Sequence, residues 1–353
     1  MKSYQIASLP GDGVGKEIMP CAIDVLQAAV QKTGGCQLEF TSYPWGCEYF
    51  LETGTIMPAN GVEVLRPYDA IYFVAAGHPD VTDYLSAWEF IFIMRKDFKQ
   101  YVNVRPIRSW AGVPTLLADQ EKEIDFIIVR ENSEGEYAGP GGVVHPEFAN
   151  SVAIQTSVFT REGVERIARY SFELARRRNG RVTNVTKSNA MLYGLVFWDR
   201  IVGEVAKEYP DVEYELLYVD AATMKFLRNP EWFDVIVTTN LFGDILSDLG
   251  GAMIGSIGLG PSANLNPEKE FPSMFEPVHG SAPDIAGMGV ANPLATILAG
   301  GMMLQHLGEP EAAALVDTAV ARILEDGVKS RDLGGVASTE DIRDALVKAI
   351  ETA

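Results

Sequence analysis

Two hydrophobic rhythms alternate along the chain. Short apolar runs rich in Val, Ile and Phe are separated by longer stretches in which apolar residues recur every three or four positions. The runs at 4–9, 70–76, 125–129, 181–185, 213–219 and 235–239 read as strands. The stretches at 16–31, 86–98, 161–178, 198–209, 293–306 and 309–326 read as helices. Strand and helix in turn predict an α/β protein with a largely parallel sheet. Gly139-Pro140-Gly141-Gly142, followed by Val143-Val144 and later Val152-Ala153-Ile154, reads as a β-hairpin excursion. Such an arm is either a dimer contact or an unpartnered surface hairpin. There are no internal repeats or low-complexity tracts.

Composition narrows the class. The chain has 353 residues, 47% hydrophobic and 22% charged, enough for two domains or one large α/β unit. A net charge of −19 argues against nucleic acid or an anionic membrane as partner. An anionic ligand would need positive charge gathered locally. Cys21, Cys36 and Cys47 form no C-x-x-C pair and read as buried thiols in a reducing compartment. The apolar run before Pro10-Gly11 is too short for a signal peptide, and no run of eighteen apolar residues occurs. A cytoplasmic protein is expected.

The densest chemistry lies in Asn240-Leu241-Phe242-Gly243-Asp244-Ile245-Leu246-Ser247-Asp248. Asp244 and Asp248 share a helix face, and two converging carboxylates suit a hard cation such as Mg²⁺ or Mn²⁺. A solvated acidic face is the plain alternative, but the stretch follows an apolar strand, where α/β proteins place their chemistry. Arg95, Arg105 and Arg130 lie at the ends of apolar elements and together would clasp a substrate with two carboxylates. Each alone could equally pair with a structural acid, the role expected of Arg108. Tyr137, in a polar loop after a strand, is a candidate proton donor. Lys187, also after a strand, is a candidate base, and Asp220 a third carboxylate. Residues 275–287 read as a loop by their Gly and Pro content, in which His279 could stack on a base and Asp284 accept from a ribose, which suits NAD. No G-x-G-x-x-G occurs; the glycine run at 11–15 reads as a tight turn.

These motifs resemble one family over nearly the whole chain. Residues 240–250 with Gly255 and Gly258, and residues 276–287, are similar to the signature region and NAD loop of the β-decarboxylating dehydrogenases, the isocitrate/isopropylmalate dehydrogenase family. Residues 43–49, 100–106 and 261–276 are most similar to its tartrate dehydrogenase/D-malate dehydrogenase branch. The resemblance implies an isopropylmalate dehydrogenase-like two-domain fold. Residues 1–98 plus 254–353 would form the large, cofactor-binding domain. Residues 99–253 would form a small domain with the substrate and metal residues, and the hairpin arm at the dimer interface. It implies NAD- and metal-dependent oxidation of a D-malate-type 2-hydroxy dicarboxylate, with or without decarboxylation, and it admits a monovalent cation such as K⁺.

By the same resemblance Arg95, Arg105 and Arg130 bind substrate carboxylates and Trp88 faces the substrate's variable side. Tyr137 and Lys187 are catalytic, and Asp220, Asp244 and Asp248 bind the metal. Glu276, His279, Gly280, Ser281, Ala282, Asp284, Ile285 and Asn292 meet NAD. Lys187 and Asp220 would come from the second copy of a homodimer with shared active sites. Glu89 and residues 190–193 and 220–224 depart from the branch and leave the substrate open among tartrate, D-malate and isopropylmalate. A non-catalytic NAD- or dicarboxylate-binding regulator is the reading from another class.

Overall fold

The computed structural model describes residues 2–119 and 122–353. Its strands are β1 (Lys2–Gly11), β2 (Cys36–Ser42), β3 (Ala70–Ala75), β4 (Val102–Arg108), β5 (Asp125–Glu131), β6 (Gly141–Val144), β7 (Val152–Gln155), β8 (Arg181–Thr186), β9 (Glu213–Tyr218), β10 (Val235–Thr238), β11 (Pro261–Leu265) and β12 (Ser273–Pro277). Ten of them form one sheet in the order β2-β1-β3-β12-β11-β4-β5-β10-β8-β9. The two flanks are parallel, and β12-β11-β4-β5 in the middle pair antiparallel. The inner parallel strands β3 and β10 are buried at every residue, as strands covered on both faces are.

The antiparallel centre sorts its side chains by pleat. Residues directly opposite across such a pair share a face. Arg105 lies opposite Ile128, Asn103 opposite Arg130 and Asn264, and Ser262 opposite Glu276, so the polar residues gather on one face. Val104, Ala263, Phe275, Pro106 and Ile127 occupy the other. The chain leaves β10 directly into the helix Asn240–Met253, which crosses the polar face. Glycine permits that crossing. A Cβ on Gly243 would lie 2.6 Å from the Arg130 Cβ, and one on Gly250 2.7 Å from the Ile107 Cδ1.

Three sequence expectations are corrected. The strand expected to run to 219 stops at Tyr218, and Val219–Arg228 is a helix with Asp220 in its first turn. The loop expected from Phe275 begins after Pro277, so Glu276 is a strand residue. The helix expected from 86 starts at Asp83 and passes through a π-helical turn, Ala87–Ile91, before Phe92–Asp97. The hairpin forms as expected: β6 and β7 pair with each other, and every one of their residues is exposed. Among the described residues no helix is long and apolar enough to cross a membrane.

Candidate active site

Arg130 anchors the site. It is fully buried; its Nε and Nη2 donate to Asn240 Oδ1 at 2.9 and 2.6 Å, and its Nη1 donates to Asp244 Oδ1 at 2.5 Å. Arg105 donates through Nη1 to Ser247 Oγ at 2.5 Å and to the same Asp244 oxygen at 3.3 Å. Arg95 donates from Nη2 to Glu276 Oε1 at 3.2 Å, and Asn264 Nδ2 holds that oxygen at 2.7 Å. Three guanidinium groups are thus buried within Coulomb range of one another. Burial, then Arg105, pushes Arg130 down to about 9. Burial also works to raise Asp244, but Arg130, Arg105 and Arg95 outweigh it and hold the carboxyl below its usual range. Arg95 Nε and Arg105 Nε are buried with no hydrogen-bond partner among the described residues. Buried donors left unpaired cost about 1–3 kcal/mol each, a cost that acceptors on a bound anion would relieve.

Tyr137 closes the cluster. Its hydroxyl donates to Asp244 Oδ2 at 3.3 Å. Burial and the Asp244 charge raise its pKa, which keeps the proton on the oxygen. Its ring stacks on Phe92 with centroids 5.6 Å apart, and Phe92 meets the Trp88 ring edge-on at 5.1 Å. Trp88, 40% exposed, ends this aromatic column beside the clamp.

Lys187 and Asp220 form a separate pair. Lys187 Nζ donates to Asp220 Oδ1 at 2.9 Å, and the contact lowers the Asp220 carboxyl. Asp248 stands one helical turn from Asp244 in Asn240–Met253. Burial raises its carboxyl, Arg105 opposes that rise, and the Asp244 charge adds to it. Among the described residues no three His, Cys, Asp or Glu side chains come close enough to hold a metal. One chain therefore brings Asp244 and Asp248 to the clamp but not Asp220 or Lys187.

The segment expected to meet the cofactor continues from the C-terminal end of β12, directly after Glu276. His279 Nδ1 contacts the Gly280 carbonyl at 2.9 Å, while its Nε2 is buried without a partner. Burial holds this imidazole below its usual pKa and so neutral. Ala282 has φ 40°, rare for a residue with a Cβ. Ser281 supports the glycine run. Val14 N donates to the Ser281 carbonyl at 2.9 Å, and a Cβ on Gly13 would lie 2.1 Å from that oxygen. Asp12, fully buried, accepts from the amides of Cys47, Glu48 and Gly77 and pins the turn. Asp284 and Gly280 are exposed and Ile285 half-buried. Asn292 Nδ2 donates to Asp332 at 3.0 Å.

Comparison with known proteins places this arrangement. The isocitrate/isopropylmalate dehydrogenase family matches residues 5–346. The chain belongs to that family. It is 48% identical to a D-malate dehydrogenase (decarboxylating) of Escherichia coli strain K12, over 99% of each chain. It is 47% identical to a tartrate dehydrogenase/decarboxylase of Pseudomonas putida, over 98% of this chain and 97% of the relative. The crystal structure of an isocitrate dehydrogenase from Methylococcus capsulatus superimposes with a TM-score of 0.89 at 38% identity, covering 98% of this chain and 99% of the other.

In this isocitrate/isopropylmalate dehydrogenase family member, several positioning residues lie outside the expectations from sequence. Asn240 and Ser247 lie inside the quoted Asp244 stretch, and their polar side chains in an otherwise apolar helix were the available signal. Asn264 and Phe92 carried none, since their roles depend on strands and helices far apart in the chain. The donor set suits the family's groups. Asp244 and Asp248 offer hard oxygens, and Asp248 has no ion pair among the described residues. The orphaned His279 Nε2 offers a nucleotide a hydrogen bond, and Gly280, with open space where a Cβ would stand, leaves room beside it. Arg108 takes the structural role expected of it, donating to both oxygens of Asp317.

Proposed function

We propose that this chain is an NAD-dependent, Mg²⁺- or Mn²⁺-dependent dehydrogenase of D-malate-type 2-hydroxy dicarboxylates, with D-malate and tartrate its substrates. The carrying observation is the buried set of Arg95, Arg105 and Arg130 with two guanidinium nitrogens left unpaired beside Asp244 and Tyr137. The printed names of its relatives point the same way. On this reading residues 1–98 plus 254–353 carry the cofactor and residues 99–253 the substrate and metal groups. NAD lies along Glu276 to Asn292, with Asp284 toward the ribose. Glu276 contributes through Arg95, to which it is bonded.

The arginines orient the diacid and exclude other partners for its carboxylates. Were NAD and a divalent cation bound, NAD would supply the hydride acceptor and the cation, held by Asp244 and Asp248, would supply polarisation of the hydroxyl. Lys187 takes the hydroxyl proton. After loss of CO₂ the Tyr137 hydroxyl, its proton retained by burial and Asp244, protonates the carbon. Lys187 and Asp220 complete the site from a second copy, so the working unit is a homodimer. Support comes from exposed apolar side chains near that pair, among them Met191, Leu192 and Tyr193, and from Met224 and Leu227 on the helix beside Asn240–Met253. Three buried free cysteines suit a cytoplasmic setting.

The test is NADH formation from D-malate, tartrate isomers and isopropylmalate with NAD and Mn²⁺. Lys187→Ala should lower turnover on D-malate by roughly 10²-fold or more while NADH still binds. Turnover untouched by that change, or binding of NAD and D-malate with no turnover in the parent, would sink the reading.

A further inference from the structure

The sheet is open at its centre on the side away from the arginines. A groove of about 740 Å³ runs across it, within the size range of small-molecule sites. Its floor is Val104 and Pro106 of β4, Ile127 of β5, and Ala263 and Leu265 of β11. These are the alternate residues of the strands that carry Arg105, Arg130 and Asn264 on the opposite face. The helix Leu294–Leu307 forms one wall with Leu298 and Met302, joined by Ala313 from Pro310–Glu325. Tyr170 and the turn after Arg161–Arg176 form the other.

The rim chemistry is unlike the rest of the molecule. In a chain of net charge −19, the groove carries the cations Arg108, Arg177, Arg178 and Lys269 against only Asp125 and Asp317. Arg108 and Arg178 are paired with those acids. Arg177 and Lys269 form no ion pair among the described residues: Arg177 Nε donates to the Glu173 carbonyl at 3.2 Å and Lys269 Nζ to the His306 carbonyl at 2.6 Å. An apolar floor with uncommitted cations at its edge complements a molecule with an apolar or aromatic body and an acid group.

We propose that this groove binds an amphipathic organic anion, and that its occupancy is coupled to the arginine clamp one sheet-thickness away. The body of the ligand lies on Val104, Ile127 and Leu265, and the acid group meets Arg177. β4 and β5 carry the effect, because a shift that makes room above Val104 or Ile127 moves Arg105 or Arg130 with it. For the clamp's diacid the inference rests on the proposed function; for the groove it does not.

The probe is 1-anilinonaphthalene-8-sulfonate, followed by its fluorescence with the full-length protein, without NAD or metal. The expected result is one saturable site per chain, weakened at least tenfold by Arg177→Glu and by Ala313→Trp, which fills the wall. Saturating D-malate should shift the probe's dissociation constant at least twofold, as reciprocal linkage requires. Absence of a saturable site, affinities untouched by both variants, or no shift at a D-malate concentration that calorimetry shows to saturate the protein each overturns the proposal, whereas absence of D-malate binding in that calorimetry counts against the proposed function. Because no turnover is read, a protein that binds the probe as expected but fails to oxidise D-malate would count against the proposed function alone. Arg177 is a surface residue at a helix end, so its variant keeps the test valid if Ala313→Trp misfolds.

Discussion

Asp244 serves two neighbours at once. One oxygen accepts from Arg105 and Arg130 and the other from Tyr137. An ion pair buried on the arginine side is a weak source of stability, because desolvating the guanidinium offsets much of the attraction. Its value is geometric, since the carboxylate sets where the arginines point. Arg130→Lys tests this. A lysine cannot span Asn240 and Asp244 together, and the KM for D-malate should rise roughly 10–100-fold with a smaller change in kcat. Steady-state kinetics on the purified variant check it, and an unchanged KM would remove Arg130 from the clamp. Part of this scale was readable in the sequence, because Arg130 stands at the close of an apolar strand and Asp244 and Asp248 in the helix that follows another, whereas Arg105 lies in mid-strand. Lys187 and Asp220 were readable as polar residues after strands, and their pairing with each other, apart from Asp244, agrees with the resemblance, which assigns them to the second copy's site. Glu276 was misplaced because Pro277 and Gly280 made the whole segment look like loop, while its alternation with Met274 and Phe275 is that of a strand.

At the scale of elements, the helix Asn240–Met253 is set by its glycines. Gly243→Ala would drive a methyl into the Arg130 side chain at 2.6 Å. The cost should be about 1–3 kcal/mol, the usual range for overpacking, seen as a lower urea midpoint. D-malate binding should weaken in the same variant, because Arg130 must move. A midpoint equal to the parent's would show that the helix can shift aside. The parallel strands other than β2 were legible, most clearly β3 and β10 with their continuous apolar runs. The central β4, β11 and β12 were not, for a physical reason. Their faces carry Asn103, Asn264, Ser262 and Glu276 bonded to each other across strands, so the polar residues that broke the pattern are satisfied only in the assembled sheet. Short helices such as Cys47–Thr53 escaped for want of length.

Over the whole molecule, acid should destabilise the fold in part through one imidazole. Burial, aided by Lys269, pushes His306 down to about 4 from 6.5. The unfolded chain takes up this proton below pH 6.5 and the folded chain only near pH 4. The stabilising contribution is therefore whole above 6.5 and is lost as pH falls toward 4. With partial exposure discounted, the loss should be about 1–2 kcal/mol. His306→Phe, which keeps a ring against Phe275, should flatten the parent's fall in Tm over that window. Equal slopes in scanning calorimetry would remove His306 as a cause. Assembly belongs at this scale too. Leu227→Asp places a charge in the exposed apolar surface around Met224 and should shift sedimentation toward a single chain, with turnover lost alongside. A fully active variant of unchanged mass would refute the shared site.

The root of the hairpin touches the aromatic column. A Cβ on Gly139 would come within 3.0 Å of the Trp88 ring, two residues before the arm begins at Gly141. Trp88 is half open to water, so its emission colour depends on what surrounds it. In the proposed homodimer, with the arm as its contact, seizing the arm would tug at this indole, and a change in tint under ultraviolet light would let an unlabelled sample announce that two chains have met.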